Sequence, residues 1–392
     1  MNKEILNTGV QEFIKNNYNT DIMSVLLKKP FFSRVSQKEL AEQLEAKKKC
    51  RNKLPLWFNT PQIYYPNKLN IEQTSSEETA RYKASIVDGK SLVDLTAGLG
   101  VDSFFFSQKI NTVFHCELNA GLSEIAAYNF KILEVKNIKS IANDGLIFLQ
   151  KINQPLDWIY ADPSRRNDLK GKVFRLSDCL PNVIEHLDLL FSKSNNILLK
   201  SSPLLDISVG VGELRFVKEI HVVATNNEVK ELLWVIEKDF IGAITIKTLN
   251  IKSSHNEIFN FKWEEEKDTI SSLSQPLAYL YEPNAPILKS GGFKFVGKEF
   301  NLYKLHEHTH LYTSNELIDF PGRRFKILRS IAYNKKGLQA MRNQKANITL
   351  RNFPQSVKSI RSKFKIKDGG DTYLFFTTDY EGTHIVLECI KA

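Results

Sequence analysis

Val93-Asp94-Leu95-Thr96-Ala97-Gly98-Leu99-Gly100-Val101-Asp102 decides how this chain is read. An apolar and β-branched run over 91–95 meets a glycine turn, and a helical pattern starts near Asp102. Strand, glycine bend and helix in that order begin a crossover unit, and the glycines let a ligand approach the backbone closely. A dinucleotide fingerprint would have a third glycine at position 103, where this chain has Ser103. A pyrophosphate would also be repelled by an acid just upstream, and Asp94 is such an acid. A carboxylate at a strand end suits a cationic ligand instead.

Outward from that turn, short apolar runs alternate with helical patterns from Ile86 to about Leu249. The predicted strands are 91–95, 112–117, 138–142, 158–161, 196–200, 219–225 and 243–249, with helices at 122–133, 180–191 and 229–237 between them. This alternation predicts a Rossmann-like, doubly wound α/β sheet with its ligand at the carboxyl ends of the strands. Three further acidic motifs fall at such ends: Glu117 after the second strand, Asn143-Asp144-Gly145 after the third, and Asp162-Pro163-Ser164-Arg165-Arg166 after the fourth. One such acid alone reads as a helix N-cap. Four at successive strand ends point to a shared pocket.

The rest of the chain frames this unit. With 392 residues, 42% hydrophobic and 25% charged, the chain has the composition of a soluble globular protein and the length for two or three domains. No apolar run reaches the roughly 18 residues that span a bilayer. Glu4, Glu12 and Asp21 stand where a signal peptide needs an apolar stretch, so a cytoplasmic location and no membrane partner are expected. Four scattered cysteines give neither a disulfide framework nor zinc-ligand spacing, and no structural metal is expected. His306, His308 and His310 alternate as on one strand face, but no fourth ligand lies nearby.

Residues 1–60 read as helical, with Ser36 and Glu39 forming a capping box; Pro55, Pro61 and Pro66 end the helical part near Leu54, an irregular stretch follows, and a boundary near 70 closes an N-terminal helical domain over 1–70. A second boundary falls near 270. Beyond it, strands are predicted at 326–333 and 346–352, a helix at 356–364, and a hairpin-like pair at 372–377 and 384–389. Residues 321–367 hold fourteen Lys and Arg and no Asp or Glu, so a formal charge of +10 divides into +14 there and −4 elsewhere. That run is either a solvated face or a phosphate-binding surface.

Over roughly residues 73–250 the motifs resemble the class I S-adenosylmethionine-dependent methyltransferases. The resemblance implies that Asp94, Gly98 and Gly100, with Thr96 and Ala97 in the same loop, hold the methionine part of S-adenosyl-L-methionine. It further implies that Glu117 accepts from the ribose hydroxyls, that Asn143 and Asp144 meet adenine, and that Asp162-Pro163 faces the reacting methyl. Thr96 departs from the pattern, since many members have glycine there. More narrowly, Gln73-Thr74-Ser75-Ser76-Glu77-Glu78-Thr79-Ala80-Arg81-Tyr82-Lys83 and the Asp-Pro-Ser-Arg-Arg run look like a bacterial group classed as RNA methyltransferases. Phe320-Pro321-Gly322-Arg323, Arg351-Asn352-Phe353-Pro354 and Lys367-Asp368-Gly369-Gly370 carry the same likeness over about 276–392. That group implies a methyltransferase domain at 71–270, a small ferredoxin-like module at 271–320 and a THUMP-like RNA-binding domain at 321–392. Arg323, Arg324, Lys326, Arg351, Arg361, Lys363 and Lys365 would then touch phosphates of tRNA or rRNA and set register without reading sequence.

Methyltransferases of adenine amines commonly present Asp/Asn-Pro-Pro-aromatic, whereas Ser164 and Arg165 replace the second proline and the aromatic here. Asp162 and the Pro163 carbonyl still suit orientation of a nitrogen. Arg165 and Arg166 either face phosphate or base, or pair with Asp168 or Asp178. A covalent uridine C5 mechanism needs a cysteine after the fifth strand, where this chain has Ser201 and Ser202, so that route is excluded. Cys179 reads as core. Lys200 and Ser201 are expected to face substrate, and Lys83 either meets the cofactor carboxylate or lies on the surface. The expectation is a monomeric or weakly associating enzyme that methylates a base nitrogen in structured RNA. Its rivals are a non-catalytic RNA-binding factor with a vestigial pocket and a protein or small-molecule methyltransferase.

Overall fold

Leu92 and Val93 are fully buried, which places the run before the glycines at the centre of a sheet as β1, Ser91–Asp94. The structure is a computed structural model that describes residues 1–165, 175–334 and 337–392. The chain divides into two compact units, 1–217 with 233–241, and 218–232 with 242–392.

In the first unit β1 pairs in parallel with β2, Thr112–Cys116, and with β4, Leu156–Ala161. On the outer side β2 pairs with β3, Ile138–Ile141. A short antiparallel ribbon, β5 (Ser164–Arg165) and β6 (Cys179–Leu180), stands apart. The fifth parallel strand, β7 (Ser194–Ser201), pairs with β4. The order β7-β4-β1-β2-β3 runs outward from β1 to β3 and then returns to β4, which is the doubly wound arrangement the sequence predicts. Helices Val101–Phe106, Ala120–Ile132, Gly145–Lys151 and Leu187–Lys193 follow β1, β2, β3 and β6. Strands covered on both faces read as continuous apolar runs, and Ile197, Leu198 and Leu199 in β7 are all fully buried.

The N-terminal helices brace this unit. Ser36 and Glu39 form the expected capping box of helix Gln37–Lys53, and Leu54 is its C-cap, although a further short helix, Pro55–Asn59, starts at once. Ile14, Val25, Leu40 and Leu44 pack with Ile125 and Tyr128 of helix Ala120–Ile132. The Asn129 amide accepts from Tyr64 N at 3.0 Å and donates to Tyr64 O at 2.9 Å, which pins the chain to that helix.

Next along the chain come β8 (Val217–Thr225), β9 (Glu228–Glu237), within which the division between the units falls, and in the second unit β10 (Thr245–Ile251) and β11 (Asn256–Lys262), with β10 parallel to β8 and antiparallel to β11. A second sheet follows: β12 (Tyr279–Pro283), β13 (Tyr303–Lys304), β14 (Tyr312–Ser314), β15 (Gly322–Ala332), β16 (Asn347–Leu350), β17 (Tyr373–Thr378) and β18 (His384–Lys391), in the order β13-β14-β12-β15-β18-β17-β16. Helix Val357–Phe364, capped by Ser356, links the parallel pair β16 and β17 and buries Ile360 and Phe364.

Three expectations are corrected. The predicted helix at 229–237 is β9, because Asn226 and Asn227 both take positive φ and turn the chain straight back; the apolar run 232–236 is buried throughout. The predicted helix at 180–191 begins only at Leu187, since Cys179 and Leu180 pair with the β5 ribbon and Pro181 has no N–H to give. His306, His308 and His310 lie between β13 and β14 rather than on a strand, with His310 at φ 52°.

Candidate functional site

Asp94 is the last residue of β1, Glu117 follows β2, Asp144 follows β3 by three residues, and Asp162 follows β4. The four strands are adjacent and parallel, so all four acids stand at one edge of the sheet. Asp94 and Asp162 flank the point where the winding reverses, between β1 and β4.

The glycine turn is shaped by sterics. Gly98 and Gly100 take φ of 57° and 84°, where side chains are strained. A Cβ on Gly100 would meet Phe130 Cζ at 2.3 Å and His115 Nε2 at 3.0 Å, whereas one on Gly98 would meet nothing within 4 Å. Gly100 is thus required by packing, while Gly98 leaves its backbone open to a ligand. Gly98 N donates to Glu117 Oε2 at 2.9 Å, and Asn119 N donates to Oε1 at 2.7 Å. A carboxylate has about four acceptor sites, so each Glu117 oxygen keeps one for a diol.

Asp94 is completely buried. Ser103 Oγ donates to its Oδ2 at 2.7 Å and Thr96 N to its Oδ1 at 3.2 Å. The residue that breaks the dinucleotide pattern is therefore what supports the carboxyl. Burial, only partly offset by the Ser103 bond and reinforced by the negative Asp102 and Asp162, pushes the Asp94 pKa up to about 8. No cation pairs with it among the described residues. His115 is no substitute, because burial pushes its pKa down to about 4 and leaves the ring neutral.

Thr96, unusual for its position, ties the first motif to the fourth, because Asp162 N donates to its Oγ1 at 2.7 Å. Ala97 N donates to Cys116 O at 2.9 Å. Asp144 is an N-cap, accepting from Leu146 N at 2.8 Å and Ile147 N at 3.1 Å through Oδ1, and Asn143 Oδ1 accepts from Asp144 N at 2.8 Å. Beside these acids, Leu118 is 74% and Ile147 44% exposed. An apolar pair next to hydrogen-bonding acids suits the faces of a flat ring, and a reading of the sequence that follows charge passes over both.

Lys200 Nζ lies 2.5 Å from Asp162 Oδ2. Pro163 is half-buried and Ser164 exposed; Arg165 pairs through its backbone with Cys179, and Arg166 lies outside the described residues. Two residues expected at the substrate, the cofactor or the surface are turned inward. Ser201 is buried with its hydroxyl accepting from Trp234 Nε1 at 2.9 Å. Lys83 is wholly buried, donating to Ser75 Oγ at 3.0 Å and sitting 3.2 Å from Asp102 Oδ1. Asp102 also accepts from Ser75 Oγ and Tyr160 Oη, both at 2.8 Å. Burial opposes ionisation of Asp102, but Lys83, Lys200 and the two hydroxyls outweigh it and hold its pKa below the usual range. The run around Ser75 and Lys83 thus anchors the helix that follows the glycine turn.

In the second unit the acid-free run is not acid-free in space. Arg323 and Arg351 both bind Glu282, Arg351 Nη2 at 2.6 Å; Arg324 reaches Asp319 at 3.3 Å, Arg329 pairs with Glu388 and Arg361 with Asp368. Of the seven residues expected at phosphates, Arg323, Arg324, Arg351 and Arg361 are therefore paired. Lys326, Lys363 and Lys365 are exposed, with Lys363 Nζ over the Tyr333 ring at 5.5 Å. Lys345, Lys358 and Lys367 are also exposed without an acid partner among the described residues, and the backbones of Lys345 and Lys367 form a bridge.

The profile of a ferredoxin-like domain family matches residues 279–321, and that of a THUMP domain-like family matches 322–391. No curated protein matches the chain by sequence. Among solved structures, the "putative methyltransferase from Porphyromonas gingivalis W83" is 33% identical, with 100% of this chain and 98% of that one covered and a TM-score of 0.90. An rRNA methylase from Streptococcus thermophilus is 15% identical over 41% of this chain and 94% of its own, with a TM-score of 0.31. TrmK of M. capricolum, in complex with S-adenosyl-homocysteine, is 15% identical over 41% of this chain and 68% of its own, with a TM-score of 0.32. At such scores the last two carry no argument about this chain.

Proposed function

Because the chain belongs to the family of that Porphyromonas gingivalis protein, a methyltransferase fold with ferredoxin-like and THUMP-like domains, we propose that it transfers a methyl group from S-adenosylmethionine to a base nitrogen in structured RNA. The observation that carries this reading is the row of Asp94, Glu117, Asp144 and Asp162 at neighbouring strand ends around an open glycine turn. Asp94 fits a donor with an ammonium group and a sulfonium, since it is a buried carboxyl without a cation of its own. Gly98 leaves space at the backbone, Glu117 has free acceptor sites for a diol, and Leu118 and Ile147 offer apolar faces to a purine.

S-adenosylmethionine supplies an already activated methyl group, so the chain needs mainly to align the acceptor. Lys200 holds Asp162 through Oδ2 and Thr96 fixes its backbone. That leaves Oδ1 and the Pro163 carbonyl to accept the amine protons and aim the nitrogen lone pair. Exposed lysines of the THUMP-like region, Lys345, Lys363, Lys365 and Lys367 among them, would hold phosphates.

A non-catalytic RNA-binding factor is the second reading. The pairing of Asp162 with Lys200 favours it, because a carboxylate that already neutralises a cation is a weaker proton acceptor. The test is incubation of the full chain with isotopically labelled donor and total RNA from a strain lacking the gene, followed by nucleoside mass spectrometry. One nucleotide that gains the label, and that is hypomethylated in the untreated RNA, is the expected result. Donor bound by calorimetry with no label in any nucleoside would transfer the assignment to the second reading.

A further inference from the structure

A cavity of about 350 Å³ lies wholly within the second unit, where the turn after β8, the end of β12 and the start of β15 meet. Ligand pockets begin at roughly 300 Å³, so the space suits one small organic ligand and far exceeds a bare ion. Its walls carry three cations, Lys252, Arg323 and Arg351, against two carboxylates, Glu257 and Glu282.

Both carboxylates are already occupied. Glu282, 3% exposed, accepts from Arg323 Nε at 2.5 Å and Arg351 Nη2 at 2.6 Å. Glu257 accepts from Asn250 Nδ2 at 2.8 Å, Asn284 Nδ2 at 3.0 Å and Lys252. Burial opposes the ionisation of Glu257, but those three donors outweigh it and keep its pKa low. The acids therefore act as struts beneath the cations, and the charge left to the space is positive.

The two arginines are held as a pair by one buried carboxylate while their side chains stay 44% and 37% exposed, a fixed fork of the kind that suits phosphate. Arg351 Nη1 also donates to Leu350 O at 3.0 Å, whereas its Nε is buried without an acceptor among the described residues, so the fold places this guanidinium with one donor unsatisfied. Elsewhere on the wall, Asn227 is exposed; its Oδ1 accepts from Ala285 N at 2.7 Å, and its Nδ2 has no protein acceptor among the described residues. Pro283 and Leu288 add an apolar surface.

We propose that this cavity binds one phosphorylated nucleotide unit, with the phosphate on Arg323 and Arg351 and the base against Pro283 and Leu288 within reach of the Asn227 amide. Its source rests on the RNA reading above, a nucleotide of the bound strand; a free nucleotide would present the same chemistry. The test is calorimetry on the full chain with adenosine 5′-monophosphate, guanosine 5′-monophosphate, adenosine and inorganic phosphate. At least one monophosphate should bind tenfold or more tightly than adenosine. R323Q/R351Q should lose at least tenfold of that affinity. Since this variant leaves Glu282 unpaired, Ala285→Phe, which fills the cavity without changing charge, provides the control that folds independently of the ion pairs. It should lose as much, and both variants should keep their affinity for S-adenosylmethionine.

A labelled RNA strand distinguishes the sources. Competition by the monophosphate, together with tenfold weaker RNA binding by Ala285→Phe, identifies the strand. Monophosphate binding with RNA affinity unchanged identifies a free nucleotide. Absence of monophosphate binding at millimolar concentration, or equal binding by wild type and Ala285→Phe, overturns the inference; RNA binding that persists in that case leaves the function proposal standing.

Discussion

The parallel-sheet edge and the basic C-terminal run both stand out in the sequence as concentrations of charge, yet they fold to opposite effect. At the sheet edge, Asp94 keeps two uncharged hydrogen-bond donors and no counter-ion among the described residues, so its ionised form is left without a compensating charge. In the basic run, Glu282, Asp319, Asp368 and Glu388 come in from outside the acid-free stretch and pair with five arginines. A strand end is a place that local sequence specifies. The field of a segment is set by whatever the fold brings beside it, so the net charge of a run overstates its free cations.

The largest effect should come from removing the unmet acids. Asp94→Ala or Glu117→Ala is expected to weaken S-adenosylmethionine binding by at least about 100-fold, roughly 2.7 kcal/mol, read by calorimetry. Unchanged affinity in both would put the donor elsewhere and end the contrast. The converse test is Glu282→Gln. Breaking a buried pair costs about 3–5 kcal/mol, and the exposure of both arginines reduces that to roughly 1–3 kcal/mol of unfolding free energy in urea. The same change releases two guanidiniums, so RNA affinity should rise severalfold as stability falls. A variant as stable as wild type would mean that Glu282 does not restrain them.

The same contrast explains which features are legible in the sequence. β1, β2 and β4 and the acids after them follow from mostly buried apolar runs that end at Asp or Glu, whereas β3, with Lys139 and Ser140 exposed, is marked by Ile138, Ile141 and the Asn143-Asp144-Gly145 turn. Ser36 with Glu39 signals a capping box for the same local reason. The strand β9 reads as a helix because its apolar run satisfies both periods; the deciding signal is the pair Asn226-Asn227, two residues that tolerate the positive φ of a tight turn. Ser201 is expected at the substrate, and Lys83 at the cofactor carboxylate or the surface, because they sit in or near the motifs. Their partners, Trp234 for one and Asp102 with Ser75 for the other, are distant in sequence, and burial of a polar side chain depends on such partners.

A smaller effect separates Asp94 from an ordinary surface acid. Burial raises its folded-state pKa to about 8, whereas the unfolded chain deprotonates it near the ordinary value of 3.8. The folded state therefore holds this proton more tightly, so the associated stability is fully present below about pH 4 and falls as pH rises toward 8, then levels off. The slope is at most about 1.4 kcal/mol per pH unit. Asp94→Asn has no such proton, so its melting temperature should exceed that of wild type by a margin that widens from pH 5 to pH 8. Saturating donor should narrow the margin, because a bound cation stabilises the ionised carboxylate. Parallel melting curves for the two proteins across this range would show that Asp94 is charged and already compensated.

The smallest effects should come from single cations in the second unit, and they test whether pairing or mere position decides which of them meet RNA. Lys345, Lys365 and Lys367 are exposed without an acid partner among the described residues, whereas Arg324 and Arg361 sit against Asp319 and Asp368. Each phosphate contact contributes roughly 0.7–0.9 to the slope of log affinity against log salt. Replacing the three lysines by Gln should therefore flatten that slope by about 2, with a severalfold loss of affinity per residue at physiological salt. Replacing Arg324 and Arg361 should change it by less than about 1, because each arginine must first leave its carboxylate and the exposed acid left behind repels the strand. Slopes reduced equally by the two sets would mean that RNA displaces the surface ion pairs at little cost. The sequence count of fourteen positive charges would then be a truer guide to the interface than the folded arrangement.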